Sequence, residues 1–357
     1  MKRILVSAAA ALMTWPALAA DLTQPIEKMI AGYIQPEARI FADIASRLPE
    51  AVTEVCQEPT DEAKADFRVV FSDAVGQFAR IHFLRLGPLI EEDRISRLAF
   101  QPDPRGIAQR QIRKLYGAQD ESVRTAEGLS EKSVALQGLT ALQLIAFDKT
   151  GAVVLGEASE NKDFTCSYAL AISENVASIA RDVMLSWFDA DGFSKTLLET
   201  GGNNARYQTD QEALEDVFQT LSTALIVVRD QNIAPALGSS EEKARPNRIP
   251  FSRSSNGVVF LTSEMDGILA AIQSMDLEPM MPEEHAWLIG SMTFEFENAM
   301  KTLNKLQPPL RETFEASGAH SQLSLLVISL NSLQRLVGER VAGALGLAGG
   351  FNALDGD

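Results

Sequence analysis

The sequence predicts an all-α fold of helical bundles arranged in two halves. Three observations carry that prediction. Apolar residues recur at three- and four-residue spacing through most of the 357-residue chain. Strand-like alternation is confined to "AVVL" at Ala152 and "VVF" at Val258. Prolines such as Pro49, Pro59, Pro88, Pro102 and Pro104 fall between the periodic segments, where they are tolerated. With 46% hydrophobic and 22% charged residues, the chain can bury one large or two medium cores.

In chain order, the first element is not structural. In MKRILVSAAAALMTWPALAA, Lys2 and Arg3 precede a short apolar run closed by Ala17-Leu18-Ala19, which predicts a secretory signal over residues 1–19. No cysteine follows the cleavage point, so no lipid anchor is expected. No later stretch has about 18 uninterrupted apolar residues, so no membrane span is expected after cleavage.

Helices are then predicted over Pro25 to Leu48, Asp61 to Leu86, Ile107 to Tyr116, Ser133 to Phe147, Tyr168 to Phe188, Thr209 to Asn232, Gly257 to Ser274, Pro282 to Leu306 and Ala319 to Ala344. Asp61 is read as a cap, and Pro282-Glu283-Glu284 as a first helical turn. The Gly- and Asn-rich "ETGGNNARYQTD" separates an N-terminal bundle domain, 20–200, from a C-terminal one, 208–357. A long loop from Asn232 to Gly257 carries Arg245, Arg248 and Arg253, a basic patch on an acidic chain.

Charge and cysteine content narrow the partners. The formal charge is −16, and loss of Lys2 and Arg3 makes it more negative, which disfavours nucleic acid and anionic membranes. Cations are the more natural partners, although such charge also serves plain solubility. Cys56 and Cys166 are the only cysteines, and an exported chain most simply pairs them as a disulfide. The long loop it closes is worth roughly 4 to 5 kcal/mol in the chain-entropy model. A cysteine metal site is not indicated, because His82, His285 and His320 lack ligand-like spacing to either thiol.

The segment Ser133 to Phe147 is apolar nearly all round, except that Gln137, Thr140 and Gln143 recur every third residue. On a helical wheel they fall within about 120° of one another. Unpaired buried amides and hydroxyls cost about 1 to 3 kcal/mol each, so this stripe should face a wet pocket or a bonded neighbour. Gly138 within it suggests close approach of another helix or a ligand.

Five stretches in order, "FLRLGP" from Phe83, "FQPDPRG" from Phe100, "VALQGLTALQLIAFD" from Val134, "CSYALAISENVASIA" from Cys166 and the terminal "GGFNALDGD", resemble the imelysin-like family. The closing motif resembles the periplasmic branch whose members end in a similar Gly-Phe-Asn…Asp-Gly-Asp. The resemblance covers nearly the whole mature chain. It implies two helical-bundle domains arisen by duplication, a pocket between them, and association with bacterial iron uptake in the periplasm.

The family motif Gly-x-His-x-x-Glu is altered here: Gly138-Leu139-Thr140-Ala141-Leu142-Gln143 has Thr for His and Gln for Glu. A hydroxyl and a neutral amide are much poorer cation ligands than an imidazole and a carboxylate, and Gln143 cannot act as a general base. No zincin motif, glycine-rich phosphate loop or Gly-x-Ser-x-Gly elbow is present.

The resulting expectation is a periplasmic binding module for iron or another metal, or for a metal chelate or small anionic ligand, working with a periplasmic or membrane transport partner. The alternatives are an imelysin-type metallopeptidase and a non-catalytic helical scaffold. The candidate site residues are Arg85, Asp103, Gln137, Gly138, Thr140, Gln143, Asn175 and Arg253, expected to line the inter-domain pocket. His82, read as sharing a helix face with Arg85, is a replacement metal ligand, and the terminal Asp355 and Asp357 could serve hard cations.

Overall fold

Burial of the periodic apolar faces produces an all-α structure. The computed structural model describes residues 21–315 and 318–347; the expected signal peptide and the terminal Asp355 and Asp357 lie outside them. Among the described residues there is no strand, only isolated bridges at Ala99–Gly138 and Phe147–Val153. The "VVF" strand candidate instead lies inside a helix.

The first long helix runs as α1 (Thr23–Met29), a π-turn over Ile30–Ile34, and α2 (Gln35–Ala45). It is followed by α3 (Leu48–Gln57) and α4 (Asp61–Ile81). Helix α3 was hidden in the sequence because Pro49 reads as a breaker, whereas it occupies the first turn, where its missing N–H costs nothing. Thr60, one residue before the expected cap, accepts from Ala63 N at the start of α4. Short helices α5 (Arg94–Leu98), α6 (Ile107–Ala118) and α7 (Ala126–Ser130) precede α8 (Gly138–Ala146), the long α9 (Lys162–Phe188) and α10 (Phe193–Leu198).

The second half comprises α11 (Asp210–Val227), a π-turn over Val228–Ile233, α12 (Ala234–Leu237), α13 (Gly257–Ser274) and α14 (Trp287–Leu303). It closes with α15 (Leu310–Thr313), α16 (Ala319–Arg335), a π-turn over Leu336–Val341 and α17 (Ala342–Ala344).

Helices α2, α3, α4 and α9 pack on one another, with α8 laid against α9; α11, α13, α14 and α16 form a second group. The groups meet where α4 crosses α13, and a continuous apolar core runs through both. Glycines permit this crossing. A Cβ on Gly267 of α13 would lie 2.9 Å from Arg80 Cα and 2.7 Å from the Tyr33 hydroxyl, and one on Gly76 of α4 would lie 3.3 Å from Val259. Arg80 pins the crossing: its guanidinium takes both Glu37 oxygens, at 2.8 and 3.0 Å, and also bonds Asp266. The expected Cys56–Cys166 disulfide is present and ties α3 to α9, with Cα atoms 5.8 Å apart.

Candidate functional site

The expected continuous helix from Ser133 to Phe147 is broken. A 3-10 turn over Val134–Leu136 gives way to extended Gln137, and α8 starts at Gly138 with φ of +72°. The cause is tertiary. Gly138 abuts the backbone leaving α5, and a Cβ there would sit 2.2 Å from the Leu98 carbonyl oxygen. Only glycine fits this left-handed, crowded position. The close approach expected of Gly138 is therefore to backbone, and the three polar residues do not form one stripe: Gln137 lies before the helix, while Thr140 and Gln143 lie on it.

The buried Gln143 accepts at 3.4 Å from the Ser254 hydroxyl, which in turn accepts from Asn256 Nδ2 at 3.1 Å. These partners come from the long loop before α13, which is ordered through 3-10 turns at Glu241–Lys243, Pro246–Arg248 and Ser252–Ser254. Arg253 donates through Nε to the Phe147 carbonyl at 2.7 Å, so it covers the C-terminal end of α8. Burial lowers its pKa, with Arg311 adding to that and Asp148 opposing it. Thr140 Oγ1 is buried without a hydrogen-bond partner among the described residues. From Phe147 a run of rings continues through Phe71, Phe251 and Phe260 to His82, with neighbouring centroids 5.1 to 6.5 Å apart.

That run ends at a buried polar cluster on the α4–α13 crossing. Helix α4 stops at Ile81, earlier than the expected Leu86, so His82 is its cap and Arg85 lies beyond it; the two do not share a helix face. His82 Nε2 is 3.3 Å from Glu264 Oε1, short of good hydrogen-bond geometry, and Asn232 donates to Glu264 Oε2 at 2.8 Å. Burial pushes the Glu264 carboxyl up to about 8, against the pull of Asn232 and Arg85. Burial and the nearby Arg85 charge push His82 down to about 3. At neutral pH both groups are uncharged. Arg85 Nε, like His82 Nδ1, has no partner among the described residues.

The third location lies within the N-terminal group. Asn175 Nδ2 donates to Gln137 Oε1 at 2.9 Å, and Arg97 reaches both amides from α5. Asn175 and Arg97 line a cavity of about 280 Å³ whose walls all come from residues between Glu92 and Asp182. Asp103 does something else: its carboxylate accepts from Ile107 N and Ala108 N at 2.8 and 2.9 Å and so starts α6. The eight candidates thus distribute over separate places: Gln143 of α8 and Arg253 of the long loop where those two elements meet, Thr140 on α8 without a partner among the described residues, Gly138 against the backbone leaving α5, Arg85 beside the crossing, Gln137 and Asn175 at the cavity, and Asp103 at a helix start.

The imelysin family model matches residues 34–337. This chain belongs to the imelysin family. Two solved structures share the fold of this imelysin. An imelysin-like protein from Psychrobacter arcticum 273-4 superposes with a TM-score of 0.74 at 16% identity, covering 92% of this chain and 97% of that one. A protein given the name iron-regulated protein A precursor, from Parabacteroides distasonis ATCC 8503, superposes with a TM-score of 0.71 at 11% identity, covering 91% and 96%. No curated protein matches the chain.

The residues of this imelysin do not fit a transition metal at the motif. Thr140 and Gln143 offer neutral oxygens, and Gln143 already accepts from Ser254. Among the described residues no three His, Cys, Asp or Glu side chains group closely enough to hold a metal ion. Neutral donors carry no net charge to offset the desolvation of a cation and are poor ligands for transition metals.

Sequence reasoning missed Glu264, Asn232, Arg97 and Ser254. For Glu264 a signal existed. It takes a core position in the run Phe260, Leu261, Glu264, Met265, Ile268, all of them buried, where a carboxylate demands an explanation.

Proposed function

We propose that this imelysin is a non-catalytic binding protein of the periplasm that serves iron or other metal acquisition, taking a metal or a small anionic metal chelate. The observation that carries the reading is the donor set on α8: a hydroxyl and a bonded neutral amide replace the ligand and the general base that hydrolysis would need. Arg85, partly desolvated and with its Nε unpaired among the described residues, suits an anionic ligand on an otherwise acidic protein. The name iron-regulated protein A precursor, borne by a structural neighbour, supports both the iron association and export. No helix among the described residues is long and apolar enough to cross a membrane, which accords with an exported protein released by signal cleavage. The two helix groups meeting at α4 and α13 are read as the two duplicated domains, 20–200 and 208–357, with the ligand taken near their meeting.

His82 and Glu264 are an imidazole and a carboxylate in contact, a feature that favours the peptidase reading. Both are sealed from solvent, at 5% and 0% side-chain exposure, and a protonated Glu264 is no general base. The test is incubation of the mature protein with casein and with unfolded protein substrates, with and without zinc and chelator. The expected result is no turnover; chelator-sensitive proteolysis would restore the enzyme.

A further inference from the structure

Arg97 lacks the partner its neighbour has. Arg94, one turn earlier, contacts Glu91 and Glu92 at 3.4 Å each and donates to the Pro88 carbonyl. Among the described residues no carboxylate pairs with Arg97, although the chain carries a net charge of −16. Its guanidinium is instead gripped from behind by two amides: Nε donates to Gln137 Oε1 at 3.3 Å and Nη2 to Asn175 Oδ1 at 3.5 Å.

Those amides are a built scaffold. Gln137 is 1% exposed and Asn175 4%. Gln137 Nε2 donates to the Lys132 carbonyl at 2.7 Å, which leaves its Oε1 to face Arg97 and Asn175. Asn175 spends its Nδ2 on that same oxygen at 2.9 Å, which turns its Oδ1 toward Arg97. The arrangement consumes Nε and Nη2 and leaves Nη1 without a protein acceptor among the described residues, on a guanidinium that lines the cavity.

The cavity holds about 280 Å³, near the lower end for small-ligand sites, and Ser130 and Ser178 add hydroxyls to its wall. Glu127 and Asp182 also line it, and among the described residues neither carboxylate is in an ion pair. The turn that leads into α5 holds two successive non-glycine residues, Glu92 and Asp93, at φ of 53° and 55°, a strain of the kind that collects at functional sites. With Arg94 already held by Glu91 and Glu92, the lining charges outside ion pairs among the described residues are Arg97, Glu127 and Asp182, one cation against two anions. A dianion or a phosphate would meet more repulsion than attraction there.

We propose that this cavity is a binding site for a small zwitterion of the α-amino-acid class, its carboxylate on Arg97 and its ammonium toward Glu127 and Asp182. The site is separate from the α4–α13 crossing and stands whether or not the protein handles metal. Two pre-oriented amides behind a guanidinium leave it little freedom to lose when it takes a carboxylate.

The experiment is isothermal titration calorimetry of the mature protein against the common L-amino acids, succinate and putrescine. At least one amino acid is expected to bind one to one. Arg97→Gln is expected to weaken that binding about tenfold or more, the loss of a charge-assisted contact. Asp182→Asn, at the exposed rim, is expected to weaken the amino acid but not succinate. Should Arg97→Gln melt early, Arg97→Lys keeps the charge without the planar group that Gln137 and Asn175 hold in place, and is expected to give a smaller but measurable loss. Absence of binding by every amino acid, binding indifferent to both Arg97 variants, or succinate or putrescine binding as tightly as the amino acid would overturn the proposal.

Discussion

His82 Nε2 lies 3.3 Å from Glu264 Oε1 across the α4–α13 crossing, and the contact joins two neutral groups rather than an ion pair. Its energetics follow from the direction of each shift. Glu264 titrates near 4.5 when exposed and near 8 when folded, so between those values the folded state holds a proton that the unfolded state has lost. Stability therefore falls as pH rises through that window. His82 titrates near 6.5 exposed and near 3 folded, so its contribution is complete above 6.5 and is lost as pH falls toward 3. The two slopes oppose each other between 4.5 and 6.5 and leave the carboxyl's decline uncompensated above that.

Glu264→Gln keeps an acceptor for Asn232 and cannot ionise. Wild type is expected to lose stability relative to this variant as the pH rises from about 5 to about 8, by an amount of order a few kcal/mol at most. Urea midpoints for both proteins across that range measure it. A constant difference would mean that the carboxyl does not titrate in the window.

Gly267 sits where α13 touches Arg80 and Tyr33, with a Cβ placed at 2.7 to 2.9 Å from both. Gly267→Ala is expected to cost about 1 to 3 kcal/mol by overpacking. Gly290→Ala, in α14 with nothing within 4 Å, is expected instead to gain about 0.5 to 1 kcal/mol from helix propensity. Chemical denaturation of both variants separates a tight crossing from a general intolerance of glycine replacement.

The Cys56–Cys166 bond closes a separation of 110 residues between α3 and α9. Reduction, or the double change Cys56→Ser and Cys166→Ser, is expected to cost about 2 to 5 kcal/mol. Denaturation with and without reductant checks this; an unchanged midpoint in the double variant would contradict it.

Asp103 was expected at a ligand pocket, yet both its carboxylate oxygens serve backbone amides of α6. Asp103→Ala is expected to lower stability by about 0.5 to 2 kcal/mol, as loss of a helix-start acceptor does. Its affinity for ferric citrate should not change, and a selective loss of affinity at unchanged stability would return Asp103 to the site.

The helical architecture was legible because burial writes a period into the sequence. Gly257 to Ser274 was bounded correctly, and the start of α6 at Ile107 coincides with its prediction. What could not be read depends on partners distant in the chain. The break at Gly138 exists because the Leu98 carbonyl passes 2.2 Å from where a Cβ would stand, a fact absent from the local pattern. For the same reason Gln137, Thr140 and Gln143, evenly spaced in sequence, find different fates: one grips Arg97, one lacks a partner among the described residues, and one meets Ser254. Glu264 is the opposite case, a charged residue in a core position that periodicity displays openly but whose partner His82 only the fold reveals.

In the proposed function the altered motif holds no catalytic metal, and any metal enters as cargo, most readily as a chelate. Calorimetry of the mature, metal-stripped protein against zinc, ferric ion and ferric citrate tests it most directly. The expected result is no tight zinc site at the motif, and ferric citrate binding that Arg85→Gln weakens while Thr140→Ala does not abolish it. Tight zinc binding abolished by Thr140→Ala or Gln143→Ala would contradict it.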